Sequence, residues 1–368
     1  MEPTVVSLFT GAFGLDLGLE QAGFNVRACV EKDPTAVQTI IANRPGLRDC
    51  ILNKDIRGVN VKEILTIAGL EKGQVAVVSG GPPCQPFSTV GRRQSISSEE
   101  GLLFKNFLDI VWGIRPEFFI FENVRGILSA AKKHRPLEKR RTQGAGLSED
   151  ERLGSAWDAI MAEFNLTLSN KGKDSYRIHM WELNAADYGA PQLRKRVFIV
   201  GAKKGYDLAK PKARYYNNHL PLKKAIRRLR GLREREHVDY LPYDDTRHEI
   251  FSKGLVGPGE NWKALPVRLQ KKVMGKGWHA TGGKVGFCRR LSWDKPSPTI
   301  LTTPSGRATN LCHPDKPRPL TYRECALVQG FPPGWVFKGS LTQKYKQIGN
   351  AVPVKLANAI GKSILHSM

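Results

Sequence analysis

Val5-Val6-Ser7-Leu8-Phe9-Thr10-Gly11-Ala12-Phe13-Gly14-Leu15-Asp16 is the stretch that decides the fold. Val5 to Phe9 is a short apolar run and reads as a buried strand. Gly11 and Gly14 form the turn after it, and a helix follows that ends near Gly23. A glycine turn between strand and helix lets backbone approach a ligand and leaves free N–H groups at the helix start. Alone it lacks the full G-x-G-x-x-G spacing and is also what any tight βα turn looks like. Working outward, Val26 to Val30, Val75 to Ser79, Phe118 to Phe121 and Val197 to Val200 are further strand candidates. Helical stretches lie between them, Phe104 to Ile114 for example, and Val354 to Leu365 reads as a terminal helix. This alternation predicts an α/β fold, a Rossmann-like, mixed but mostly parallel sheet with helices on both faces.

Composition narrows the class. The chain has 368 residues, with 40% hydrophobic and 25% charged. That is ordinary globular composition, and the length suits a large domain with a smaller one. No run approaches the ~18 apolar residues of a membrane span, and Met1 to Phe9 does not read as a signal peptide, so a cytoplasmic protein is expected. Fifty-eight Lys and Arg against 34 Asp and Glu give a net charge of +24. Such an excess fits a polyanionic partner, most simply nucleic acid. Residues 203–290 hold 22 of the basic and 8 of the acidic residues, so the partner is expected against that segment. The segment breaks the αβ rhythm and reads as a separate small domain. Its Trp262, Trp278 and His279 stand among glycines and suit either a groove or, preferably, that domain's core. Residues 131–155 read as a basic, loop-rich insertion. The six cysteines, Cys29, Cys50, Cys84, Cys288, Cys312 and Cys325, form no C-x-x-C pair. A zinc ribbon and a disulfide framework are both disfavoured.

Four stretches carry chemistry beyond the turn. Glu31 closes the second strand, where a ribose hydroxyl is usually held. Asp55, before Ile56, is placed to take an adenine amino group. Gly80-Gly81-Pro82-Pro83-Cys84-Gln85-Pro86-Phe87-Ser88 follows a strand. Its prolines stiffen the backbone at the sheet edge where open α/β folds bind ligands, which suits Cys84 as a positioned thiolate nucleophile. Phe121-Glu122-Asn123-Val124 ends another strand and puts a carboxyl at the same edge, able to protonate a substrate ring. In Gln192-Leu193-Arg194-Lys195-Arg196, an extended backbone would place Gln192, Arg194 and Arg196 on one face toward Cys84 and Glu122.

Taken in order, FTGAFG, Glu31, Asp55, GGPPCQPFS, FENV, QLRKR, PSPT, TYRECALVQGFP and QIGNAVP resemble a bacterial-type cytosine-5 DNA methyltransferase. The resemblance spans nearly the whole chain outside 131–155 and 203–290. It implies S-adenosylmethionine as cofactor, with no metal, and duplex DNA as partner. It implies Cys84 as the nucleophile on carbon 6, Glu122 at ring nitrogen 3, and Arg196 with Arg194 holding the base and orienting Glu122. It implies a cofactor pocket of Phe9, Gly11, Gly14, Glu31, Asp55, Ile56, Pro83, Leu103, Asn350 and Val352, so that the C-terminal helix folds back beside the first strand. Ser88, Arg92, Arg93 and Gln192 are the expected DNA contacts, the first three in a loop, Ser88 to Gly101, that closes over a flipped-out base. Residues 1–202 with 339–368 would be the catalytic domain, and 203–338 the target recognition domain and hinge. A monomer, with a cognate restriction endonuclease acting on the same site, is the expected setting. A tRNA cytosine-5 methyltransferase on the same scaffold is the alternative. Three positions depart from the family's habit. Phe13 stands where many relatives have glycine and Lys32 where an aromatic often covers the adenine. Ser98 to Phe104 lacks a usual arginine.

Overall fold

A computed structural model of the chain describes residues 2–83, 103–133, 148–169, 172–229, 234–279 and 284–368. The first half builds β1 (Thr4–Leu8), α1 (Gly14–Ala22), β2 (Asn25–Val30), α2 (Pro34–Asn43), β3 (Ile51–Leu52), α3 (Val61–Ala68), β4 (Val77–Gly80), α4 (Leu103–Ile114) and β5 (Phe118–Val124). There follow α5 (Ser155–Phe164), β6 (Tyr176–Asn184), β7 (Gln192–Leu193) and β8 (Lys195–Lys203). The remainder is mostly loop and helix: α6 (Asp245–Ser252), α7 (Val267–Met274), β9 (Ser297–Pro298), α8 (Tyr322–Gln329), α9 (Leu341–Asn350) and α10 (Val354–Leu365).

Seven strands form one sheet in the order β3-β2-β1-β4-β5-β8-β6. The first five are parallel, and β8 runs antiparallel to both β5 and β6. The sheet is therefore mixed and mostly parallel. Its chain order reverses between β1 and β4, the switch point beside which open α/β sheets take ligands. Alternate residues of each strand feed two cores. Val5, Val77, Ile120 and Phe198 face α1 and α10, whereas Val6, Val78, Phe121 and Ile199 face α4 and α5. Burial on both faces explains why these strands read as unbroken apolar runs.

The pairing of α1 with α10 closes the large core. Gly18 admits it: a Cβ there would lie 2.3 Å from the Ala357 Cβ. Helix α1 stops at Gly23, whose φ of 116° is left-handed and whose N–H donates to the Leu19 and Glu20 carbonyls. Helix α9 starts from a capping box between Ser340 and Gln343, and α8 from one between Thr321 and Glu324. No helix among the described residues is long and apolar enough to cross a membrane.

A second, smaller core gathers Tyr243, Phe251, Leu265, Met274, Phe287 and Cys288. Trp262 and Trp278 pack on it edge to face, 6.0 Å apart, and so take core places rather than an open groove. Residues 203–338 do not share one core. Leu208, Leu222, Ile226, Leu291, Ile300, Leu320 and Phe331 all belong to the large core. The packing parts between Ile226 and Tyr243 and, Cys312 apart, rejoins after Cys288, because the flanking segments cover the sheet's α1 and α10 face.

Candidate functional site

The C-terminal edge of the parallel strands carries the site. The turn after β1 holds three left-handed residues, Phe9 (φ 53°), Gly11 (φ 57°) and Phe13 (φ 73°). Such a conformation disfavours a phenylalanine. At Phe13 it is held by packing: the ring is fully buried and stacks on Trp335 at 6.2 Å. The Arg44 guanidinium lies 5.9 Å from the Phe13 ring and 5.3 Å from Trp335. This residue at a position often glycine therefore anchors the turn to the segment before α9. Gly14 is pressed against the far end of the chain, since a Cβ there would lie 2.7 Å from the Val352 carbonyl oxygen.

Glu31 reaches across from β2. Its carboxylate accepts the Gly11 N–H at 2.7 Å and the Asp33 N–H at 2.8 Å. Burial pushes its pKa up while those two bonds pull it back, and burial prevails. Asp55, after β3, has the opposite balance. Arg57 bonds both its oxygens at 2.9 and 3.0 Å and holds its pKa down at about 2. Lys32 approaches the same carboxylate at 3.9 Å.

Glu122 and Arg196 meet on neighbouring strands, Nε to Oε1 at 2.9 Å, with both side chains largely buried. Burial raises the Glu122 pKa, and Arg196 and Arg194 offset only part of that. Gly81 stands against the carboxyl, where a Cβ would lie 2.8 Å from Oε2. Asn123 ties β5 to the segment after β4 through the Pro82 carbonyl at 3.5 Å.

The strand lead-in behaves differently from the expected single face. β7 pairs with β9 in a separate two-stranded sheet, and the register breaks at Arg194 before β8 begins. Arg196 points toward Glu122. Arg194 is fully buried and donates to the Ile300 and Gly349 carbonyls, each at 2.7 Å. Gln192 is also fully buried. Its amide donates to Gln329 Oε1 and accepts the Ile300 N–H, both at 2.8 Å, so the side chain is engaged inside the protein and not presented to DNA.

One cavity of about 480 Å³ gathers these groups. Phe9, Gly11, Gly14, Glu31, Asp55, Ile56, Pro83, Leu103, Asn350 and Val352 line it, as do Glu122, Arg194 and Arg196. The volume suits a nucleoside-sized cofactor. So does the donor set: a buried carboxylate and a capped aspartate at the ends of β2 and β3, and a glycine turn under them. S-adenosylmethionine fits these residues. Cys84, Ser88, Arg92 and Arg93 lie outside the described residues, as does most of 131–155.

The cavity also holds groups the sequence reading passed over. Ser7, Asp16, Lys54, Lys346 and Gln347 line it. Asp16 had a signal. A carboxylate between Leu15 and Leu17 in the first turn of an apolar helix is bound to be buried, and it is.

The chain matches the C-5 cytosine-specific DNA methylase family over residues 3–366. It is 35% identical to the type II methyltransferase M.Sau96I of Staphylococcus aureus, over 98% of this chain and 75% of that one. It is 38% identical to M.PspPI of Psychrobacter sp., over 99% and 79%. Among solved structures it is similar to a prophage-encoded E. coli protein described as a DNA modification methyltransferase. That likeness has a TM-score of 0.63 and 24% identity over 99% of both chains, and it bears on the fold alone. The class is thus an S-adenosylmethionine-dependent methyltransferase fold with its site at the sheet's carboxyl edge. The chain belongs to the C-5 cytosine-specific DNA methylase family and is a DNA cytosine-5 methyltransferase.

Proposed function

We propose that the chain methylates carbon 5 of cytosine within one short duplex DNA sequence, through addition of Cys84 to carbon 6 of a flipped-out base. The observation that carries this reading is the Glu122–Arg196 pair on the wall of the cofactor-sized cavity, beside the Pro83 that leads to Cys84. Carbon 5 of cytosine is a poor nucleophile. Addition of the Cys84 thiolate to carbon 6 makes carbon 5 enamine-like, and Glu122 donates a proton or hydrogen bond at nitrogen 3, where charge develops. A carboxyl whose pKa burial has raised suits that task. Arg196 fixes the carboxyl's direction and reaches the base oxygen, and Arg194 acts from behind by holding the Gly349 segment. When bound, S-adenosylmethionine supplies an electrophilic methyl group. The carbon-5 proton then leaves to a base, and the bond from Cys84 to carbon 6 breaks. Phe9, Gly11, Gly14, Glu31, Asp55, Ile56, Pro83, Leu103, Asn350 and Val352 hold the cofactor in this reading.

The basic segment within 203–338 takes the role of target recognition, with Ser88, Arg92 and Arg93 closing on the DNA. A monomer is the proposed form. The type II relatives favour a companion endonuclease acting on the same site. The test is methyl transfer from labelled S-adenosylmethionine to mixed duplex DNA and to tRNA, with base-resolution mapping. Label at one DNA motif, lost in Cys84→Ser with DNA binding retained, is the expected result. Turnover by Cys84→Ser, or label in tRNA alone, overturns the reading.

A further inference from the structure

Asp16 lies beneath the glycine turn, on the first turn of α1, and is fully buried. Ser79 of β4 donates to its Oδ1 at 3.3 Å, and Oδ2 has no partner among the described residues. Asp16 is one of the residues around the same cavity as Gly11, Gly14 and Glu122, sealed just beneath its surface. A fully buried carboxyl with one open oxygen is costly as a charge unless a cation faces it. Among the described residues no cation pairs with it: of those around the cavity, Lys32, Lys54 and Arg196 pair with Asp55, Glu63 and Glu122, Arg194 is held by the Ile300 and Gly349 carbonyls, and Lys346 is exposed. β1 brings Ser7, β4 brings Ser79, β2 brings the buried thiol of Cys29, and α1 itself brings Glu20, which Arg44 binds. Lys355 and Lys362 of α10 are both exposed. Burial accordingly pushes the carboxyl up to about 7, with Ser7 pulling it down and Glu20 adding to the rise.

We propose that Asp16 sets the preference for the cationic cofactor over its product, by ionising when a sulfonium-bearing ligand occupies the cavity. This rests on the proposed S-adenosylmethionine site. S-adenosylmethionine carries a sulfonium and an ammonium against one carboxylate, so it is a net cation. S-adenosylhomocysteine has lost the sulfonium and is neutral. A carboxylate at the cavity floor attracts the first more than the second through space. After methyl transfer that attraction falls away, the carboxyl takes up a proton, and the product is released more readily.

The experiment is calorimetric binding of three probes to the intact protein and to Asp16→Asn, at pH 6 and pH 8. The probes are S-adenosylmethionine, S-adenosylhomocysteine and the neutral 5′-methylthioadenosine. The wild type is expected to prefer S-adenosylmethionine over S-adenosylhomocysteine on the order of tenfold more at pH 8 than Asp16→Asn does. Its preference falls toward that of the variant at pH 6, where the carboxyl is protonated. 5′-Methylthioadenosine binds both proteins alike. An unchanged preference in Asp16→Asn, or one independent of pH in the wild type, overturns the inference. Equal loss of all three probes in the variant also overturns it, since that marks a damaged cavity. A wild type that binds neither S-adenosylmethionine nor S-adenosylhomocysteine sinks the cofactor site itself.

Discussion

Arg196, the second residue of β8, stands directly across from Val124 of β5, and its Nε donates to Glu122 Oε1 at 2.9 Å. On antiparallel strands the two stand diagonally on one face, so the guanidinium reaches back to a carboxyl two residues from its own partner. The two side chains thus come from separate motifs joined by sheet register.

Glu122→Gln keeps the shape and removes the proton. Methyl transfer is expected to fall by about 10²–10⁴-fold with cofactor affinity kept. The pH profile carries a second sign. Because burial raises the Glu122 pKa, the acid form persists to higher pH than in a free glutamate, and activity declines as pH rises through that value. Single-turnover rates across pH should show this falling limb in the wild type and lose it in Glu122→Gln.

Gly81→Ala tests the carboxyl's position without touching it. The new methyl would sit 2.8 Å from Glu122 Oε2, which cannot swing away while Arg196 holds Oε1. A rate loss on the order of 10²-fold is expected, since displacements near 1 Å at a reacting group have that effect. The melting temperature should change little.

Phe13→Gly sets two effects against each other. Glycine relieves the left-handed backbone by ~1–2 kcal/mol. It also empties a fully buried aromatic site stacked on Trp335, at ~3–5 kcal/mol. Packing wins, and denaturant unfolding should show a net loss of about 1–4 kcal/mol.

Arg194→Met removes a buried guanidinium that donates to the carbonyls of Ile300 and Gly349. Two buried acceptors are left without that partner, at ~1–3 kcal/mol each. The variant should unfold at lower denaturant and also bind cofactor more weakly, because Gly349 precedes Asn350 on the cavity wall.

DNA affinity should fall steeply with salt. The charge of +24 and the 22 basic residues of 203–290 imply many phosphate contacts, each releasing about one counterion. A flat plot of log Kd against log salt concentration would exclude that surface.

Much of this was legible in the sequence. β1, β2, β4 and β5 are apolar runs because both of their faces are covered, and α10 begins and ends where its pattern does. β6 was not legible. It is an edge strand whose Arg177, His179 and Glu182 interrupt the apolar pattern, and it is fixed by pairing with β8 rather than by its own composition. Of Gln192, Arg194 and Arg196, the last two line one cavity and Gln192 does not, for a related reason. An extended backbone alternates faces only while it stays in one sheet, and here it changes sheets at Arg194. Glu31, Asp55 and Glu122 were readable because each closes or follows a strand at the sheet edge. Asp16 also carried a signal, its place between Leu15 and Leu17 on an apolar helix turn, but only the structure shows its open oxygen.

The fit of α10 against α1, with Gly18 under Ala357, bears on biosynthesis. The first strand and its turn leave the ribosome long before Asn350 and Val352, which complete the same cavity. Contacts spanning most of a chain form late in folding. A nascent polypeptide therefore holds every motif of the nucleotide turn without a closed pocket, and stays unable to modify DNA until the segment around Asn350 has emerged.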